Sequence, residues 1–299
     1  MNNFLLEEIL DGHSGAKIYK FKDQENDYLI KIFSGKLDKY KLDRIKEICQ
    51  IYRSLSINSL SFLGHGELDD KYFFLYNYIE GKNLKQIGDE KYNYEEIYNI
   101  GVKTGENAKK LKEFTLPKNT NLTEENLDDL VASVNEKYKK LITNTAVLEI
   151  MKDVLGLAKI KKLMKDFNDY TIILKNINKK LIHGDIKRSN FMIDETGEFY
   201  IIDIESMKIS YDVLNFRHQI TWILFSGNNK EKEFIRGFLD GLYLNKRPQY
   251  FNEQIVFVIM LNFIEHSYKI FKDENKLKSY FEKMKDIISL IDNIDGYII

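Results

Sequence analysis

Two aspartates and an asparagine in the second half of the chain are of the right types and spacing to do chemistry together. Asp185 and Asn190 stand in Leu181-Ile182-His183-Gly184-Asp185-Ile186-Lys187-Arg188-Ser189-Asn190-Phe191-Met192-Ile193-Asp194, and Asp203 follows in Tyr200-Ile201-Ile202-Asp203-Ile204-Glu205. A carboxylate beside a hydroxyl can take its proton as that oxygen forms a new bond, and Asp185 is the candidate. Magnesium takes oxygen ligands and bridges phosphates, so it needs a carboxylate and often an amide oxygen. Asp203 and Asn190 supply those types. The five-residue step (190 − 185) lets one tight loop present Asp185 and Asn190 to one point, and a hairpin from Phe191 to Ile204 returns Asp203 beside them. Such a set suits phosphoryl transfer, which needs positioning and charge neutralisation more than covalent help. Each piece alone is ordinary: an Asp-containing loop is usually a turn or helix cap, and an Asp ending an apolar strand is often only its terminator. The weight lies in the coincidence.

These segments resemble the catalytic loop and metal-binding strand shared by protein kinases and the aminoglycoside phosphotransferase and choline kinase group. Protein kinases usually carry Arg after the loop histidine and Phe-Gly after the metal aspartate. Here the residues are His183-Gly184-Asp185 and Asp203-Ile204-Glu205, which look like the small-molecule group. The resemblance implies a structural role under the loop for His183, not proton transfer. It also makes Lys187 a candidate transition-state cation, since serine/threonine kinases place a lysine there against the transferred phosphate.

A kinase-like fold makes demands upstream. A strand lysine should hold nucleotide phosphates, and Lys31 is the only charge inside Tyr28-Leu29-Ile30-Lys31-Ile32-Phe33. It should pair with a glutamate on the following helix, and Glu47 lies sixteen residues on (47 − 31). Gly12-His13-Ser14-Gly15-Ala16 is a partial glycine loop whose small residues let backbone N–H groups approach phosphates, so Ser14 and Gly15 are expected there. Tyr76-Asn77-Tyr78-Ile79-Glu80-Gly81 matches the hinge of the resembled group. The backbone of Asn77, Tyr78 and Ile79 would then face the edge of the base, with Tyr76 at the gatekeeper position.

The periodicities supply elements to carry these residues. Phe4–Leu10, Lys17–Phe21 and Tyr28–Phe33 read as strands, Leu37–Leu55 as a helix, and Leu60–Leu68 and Tyr72–Tyr78 as two more strands. Glu80 to Asn83 breaks the pattern. From Tyr94 to Leu181 nearly everything reads as helix. Two strands return at Phe191–Asp194 and Glu198–Ile204 around a Thr196-Gly197 turn, and helix resumes from about Tyr211, including Trp222 in an apolar run. The expected class is α+β: a protein-kinase-like two-lobed fold with a small N-terminal antiparallel sheet plus one helix and a large, mainly helical C-terminal lobe. The expected division is residues 1–76 for the nucleotide lobe, 77–82 for the hinge and 83–299 for the helical lobe.

Composition bounds the partners. In 299 residues the formal net charge is −1, which argues against nucleic acid as main partner. Hydrophobic residues make up 43%, enough for a substantial core. The single cysteine, Cys49, excludes an internal disulfide and fits a reducing cytoplasm. Glu7 and Glu8 stand where a secretory signal would carry a long apolar run, so no signal peptide is expected. No stretch approaches the roughly 18 unbroken apolar residues of a membrane span. No obligate protein partner is evident.

After Asp203 there is no Ala-Pro-Glu sequence and little room for a peptide-docking segment, which disfavours a protein kinase. Aminoglycoside kinases build an acidic cleft for a polycationic sugar from helices of the corresponding regions. That likeness nominates Glu205, Asp240, Glu265, Asp273 and Glu274 as candidate lining acids. A quaternary ammonium would want an aromatic cage instead, and 19 Tyr, 19 Phe and one Trp could build one. The expectation is a Mg2+-dependent phosphotransferase using ATP or GTP on a small-molecule hydroxyl, an aminoglycoside-type antibiotic first. The alternatives are a metabolic kinase for choline, a ketosamine, homoserine or a thio-sugar, and a catalytically silent binding module.

Overall fold

The structure, a computed structural model, describes residues 5–9, 16–23, 26–85, 91–217, 220, 229–244 and 246–290. Ser14 and Gly15 of the expected phosphate loop, and the run around Trp222, lie outside the described residues. The chain forms two compact units. The first comprises Met1–Gly88, Thr115–Thr123 and Arg188–Met207; the second comprises Asp89–Phe114, Glu124–Lys187 and Lys208–Ile299.

The first unit is built on β1 (Leu5–Ile9), β2 (Lys17–Lys22), β3 (Asp27–Ser34), β4 (Phe62–Leu68) and β5 (Lys71–Asn77). All pairings are antiparallel, in the order β1-β2-β3-β5-β4, so β3 is central. Lys31 sits mid-strand, opposite Ile18 on one side and Phe74 on the other. Helix α1 (Lys39–Ser54) starts at Asp38, whose carboxylate accepts from the Lys41 N–H. It buries Ile45, Ile48, Ile51 and Tyr52, a stripe at helical spacing. Each such side chain contributes about 1.5–3 kcal/mol by leaving water. A smaller sheet orders β6 (Gly81–Asn83), β8 (Phe191–Asp194) and β9 (Phe199–Ile201).

The β8–β9 hairpin turns where expected. Asp194 Oδ1 accepts from the backbone N–H groups of Thr196 and Glu198 and from the Thr196 hydroxyl, and Gly197 takes a positive φ of 86°. The second strand is shorter than its apolar pattern suggested. Asp203 turns left-handed (φ 58°, ψ 41°) and Ile204–Ser206 form a 3-10 turn, so pairing ends at Ile201.

The second unit is mainly helical: α2 (Tyr94–Glu113), α3 (Leu127–Thr143), α4 (Thr145–Leu155), α5 (Leu157–Lys175), α6 (Asn229–Tyr243), α7 (Phe251–Ile270) and α8 (Glu274–Leu290). Helix α7 is buried along most of its length, with Phe257 stacked on Phe167 of α5 at 4.9 Å. The helical pattern read through Leu181 overshoots. Helix α5 ends at Lys175, and Lys180–Ile182 form β7, paired antiparallel with β10 (Lys208–Ser210). A three-residue strand whose partner lies far along the chain leaves no periodicity of its own.

Helices α2 and α6 approach until backbones touch. A Cβ on Gly105 would lie 2.1 Å from the Phe238 carbonyl oxygen, and one on Gly241 would lie 2.2 Å from that of Val102. Only glycine permits this, and an added methyl must push the helices apart. Gly105→Ala should therefore cost about 1–3 kcal/mol in a denaturant titration. Gly64→Ala, whose Cβ would meet open space, should cost less; equal costs would mean the contact is not tight.

Candidate active site

In the first unit the chemistry gathers around Lys31. Its side chain is buried (4% exposed). The ammonium reaches Asp203 Oδ1 at 3.2 Å and Glu205 Oε2 at 2.8 Å. Burial disfavours the charge, but Glu205 and then Asp203 outweigh it, leaving the Lys31 pKa above its usual value. Glu205 answers in kind: burial pushes its carboxyl up, Lys31 pulls it down, and the net direction is down. Both groups are therefore charged. Glu205 Oε1 also accepts from the Tyr76 hydroxyl at 2.8 Å. Arg44 of α1 donates to the backbone oxygens of Glu205 (2.8 Å) and Met207 (2.7 Å), tying down the turn that carries Glu205.

Glu47 corrects the sequence reading, because it is not the partner of Lys31. Its carboxylate accepts from the Thr120 hydroxyl at 2.5 Å, the Asn121 N–H at 2.7 Å and the Asn121 side-chain amide at 3.1 Å. Three donors from the returning segment Thr115–Thr123 occupy it. Spacing marked an acid on the right helix but could not show that a distant loop would claim it.

Asn190 and Asp203, the expected cation ligands, flank the paired strands β8 and β9, Asn190 directly before the first and Asp203 just past the end of the second. The Ile202 N–H donates to the Asn190 carbonyl at 2.9 Å, so the residue before Asp203 is fastened to Asn190. Asp203 holds a left-handed conformation, a strain that Asp tolerates better than most residues. The donor set, one carboxylate and one amide, fits Mg2+ bound mainly through nucleotide phosphates and water. Among the described residues no group of three or more His, Cys, Asp or Glu is placed to hold a metal ion.

The expected hinge is partly occupied by the sheet. The Asn77 N–H donates to Ser61 O (3.2 Å), the Asn77 side-chain oxygen accepts from the Ser61 N–H (2.5 Å), and the Tyr78 N–H donates to Asp27 O (3.2 Å). Ile79 is buried. Tyr76 is fully buried, with its hydroxyl on Glu205.

In the second unit the loop around Asp185 is held by its backbone. The Asp185 N–H donates to Nδ1 of the buried His183 at 3.3 Å, as a structural histidine would allow. Gly184, at φ 86°, donates its N–H to Asn215 Oδ1 at 3.0 Å, and the Ile186 N–H donates to Asn215 O at 3.0 Å. Asn215, buried in the 3-10 turn Asp212–Phe216, thus grips both sides of Asp185. Lys187 Nζ lies 2.6 Å from Asp185 Oδ2.

Four of the five nominated lining acids are engaged by the protein. Glu205 belongs to the Lys31 cluster. Asp240 accepts from Tyr98 (3.0 Å) and Arg247 (3.1 Å). Glu265 bonds Lys137 at 3.1 Å and pairs with Arg217. Asp273 caps α8 through the Lys276 N–H at 3.1 Å, and Glu274 is exposed at its start. Arg44, Asn215, Thr120 and Asn121 were not singled out from sequence, since isolated polar residues at unremarkable spacing carry no signal for long-range contacts.

The profile described as the phosphotransferase enzyme family (APH) matches residues 6–215. No curated protein sequence matches the chain. Solved structures do. Spectinomycin phosphotransferase APH(9)-Ia in complex with ADP and spectinomycin is 14% identical at a TM-score of 0.65, covering 96% of this chain and 92% of that one. Aminoglycoside phosphotransferase APH(4)-Ia is 12% identical at 0.64, covering 96% and 93%. A GDP complex of an aminoglycoside 2'-phosphotransferase-IIIa variant is 15% identical at 0.64, covering 100% and 95%. At such identities the likeness is one of fold, and that fold is the expected protein-kinase-like α+β arrangement.

The Lys31–Glu205 pair makes stability depend on pH. Glu205 has a folded pKa below its ordinary 4.5, so its contribution is complete above that value and is lost as pH falls through the depressed one. Lys31 has the opposite sign, contributing below its ordinary 10.5 and losing that only at still higher pH. Thermal melts below pH 4.5 should fall more steeply for the wild type than for Glu205→Gln; parallel curves would remove Glu205 as the titrating group.

Proposed function

The chain belongs to the phosphotransferase enzyme family, and we propose that it moves the terminal phosphoryl group of ATP or GTP to a hydroxyl of a small molecule, an aminoglycoside-type antibiotic being the first candidate. The observation that carries this reading is the buried Lys31 ammonium held against Asp203 on a central strand. A permanent cation beside an oxygen-donor cation ligand is what a triphosphate requires. The ADP and GDP in structures of similar fold support the use of a nucleotide by this chain.

In this mechanism Lys31 takes the nucleotide phosphates, for which the sequence also nominates backbone donors at Ser14 and Gly15. Asn77, Tyr78 and Ile79 face the base in the hinge at 77–82, between the lobes we assign to residues 1–76 and 83–299. Asn190 and Asp203 would hold Mg2+, which supplies neutralisation of phosphate charge. Asp185 accepts the proton of the acceptor hydroxyl as its oxygen bonds to the terminal phosphorus. The bond from phosphorus to the bridging oxygen breaks, and its electron pair leaves with the nucleoside diphosphate. Lys187 steadies the charge on the transferred group. We place this work in the cytoplasm, the reading that the single cysteine favours.

A second reading is a metabolic kinase acting on choline, a ketosamine, homoserine or a thio-sugar. It gains from the ion pairing of Asp240 and Glu265, which leaves those acids less charge to offer a polycation.

A coupled nucleotide-turnover assay decides, run with ATP and GTP separately against aminoglycosides, choline and amino sugars. Strong stimulation by one aminoglycoside is the expected result, and stimulation by a metabolic acceptor alone would install the second reading. Asp185→Ala should keep nucleotide affinity and lose roughly two to four orders of magnitude in kcat. A near-normal rate would refute its role as base. Asp203→Ala should weaken Mg-nucleotide binding in calorimetry, and unchanged affinity would remove it as a cation ligand.

A further inference from the structure

The burial of Lys31 demands an anionic partner, since an ammonium out of water is strongly unfavourable unless paired. Glu47, the helix acid at the expected spacing, is saturated by Thr120 and Asn121. Two carboxylates remain. Asp203, at 3.2 Å, is the residue assigned to the cation, and oxygens engaged there have less to give the lysine. Glu205 is nearer, at 2.8 Å, and is fixed at several points. Its second carboxylate oxygen accepts from the buried Tyr76 hydroxyl, and its backbone oxygen accepts from Arg44, which also holds Met207. One oxygen is thus anchored to the sheet, the main chain to α1, and the other oxygen is aimed at Lys31.

We propose that Glu205 is the positioning residue for Lys31: it takes the place that sequence spacing gives Glu47 and holds the ammonium ready for nucleotide phosphates, with Tyr76 and Arg44 fixing Glu205 in turn. This rests on the phosphotransferase reading and changes what Glu205 does within it. It is neither an acid lining the acceptor site nor a second cation ligand. The 3-10 turn Ile204–Ser206 directly after Asp203 is what brings the carboxylate round. Glu47 keeps a separate task, fastening the Thr115–Thr123 segment to α1.

The test has a nucleotide-free part and a kinetic part. In melts without ligand, Glu205→Gln should lower Tm by roughly 5 °C or more, because one partner of a buried pair is removed. In a Lys31→Met background the same change should cost much less, the signature of direct coupling. In kinetics, Glu205→Gln should raise the nucleotide KM about tenfold, the size of a loss of one charged contact. The acceptor KM and the Mg2+ requirement should stay near the wild-type values. Tyr76→Phe, a milder change, should move the nucleotide KM the same way by a smaller factor. Glu47→Gln should couple to Lys31→Met less than Glu205→Gln does.

Additive melts for Glu205→Gln and Lys31→Met would overturn the pairing even if every variant folds and turns over. A rise confined to acceptor KM would make Glu205 a lining acid, and a rise confined to the Mg2+ requirement would make it a cation ligand. Both outcomes reject the proposal while leaving phosphotransfer intact. Coupled melts in a protein that binds no nucleotide would instead sink the phosphotransferase reading, and the nucleotide role of Glu205 with it.

Discussion

A single buried ammonium organises the first unit. Lys31 lies at the middle of the central strand, and its charge is kept only because two carboxylates from residues 172 and 174 positions later reach it. Removing a charge from water costs several kcal/mol, so the structure must supply compensation with good geometry. That requirement accounts for much that surrounds it: the left-handed Asp203, the 3-10 turn after it, the Tyr76 hydroxyl turned inward, and the Arg44 grip on the turn's carbonyls. A cluster so arranged is costly for stability alone, since well-packed apolar residues serve a core at least as well. It is reasonable where a fixed positive charge is needed for polyanionic phosphates.

The second unit positions its carboxylate by another device. Asp185 is aimed by its neighbours' backbone, through Asn215 on Gly184 and Ile186 and His183 on Asp185 itself. Backbone hydrogen bonds fix the path of the loop on both sides of Asp185, while its carboxylate pairs with Lys187. Asn215 is well suited because one residue offers both a side-chain and a main-chain acceptor. The glycines between α2 and α6 work at a larger scale, letting the two helices meet backbone to backbone.

The acids nominated for substrate show how surface charge misleads. Asp240 is paired with Arg247 and Glu265 with Lys137 and Arg217, and Asp273 serves as a helix cap. A run of helical sequence with both signs of charge mostly describes its own ion pairs. Asp240, Glu265 and Asp273 are accordingly less free to meet a polycation than the kinase-like resemblance suggested.

Sequence by itself determined what depends on near neighbours. The apolar run broken only by Lys31, the apolar stripe of α1, the Asp194–Gly197 turn and the spacing of Asp185, Asn190 and Asp203 follow from local sterics, turn chemistry and hydrophobic period. The fold class came with them through the resemblance that the Asp185 loop and the Asp203 strand bear to kinase-like phosphotransferases. Tertiary structure alone decided which carboxylate meets Lys31, that Glu47 fastens a returning loop, that Asn215 holds the Asp185 loop, and that β7 and β10 pair. Those choices turn on the path of the backbone between residues far apart in the chain. A single left-handed aspartate turns the chain into the Ile204–Ser206 segment that carries Glu205, and no periodicity in the residues on either side records it.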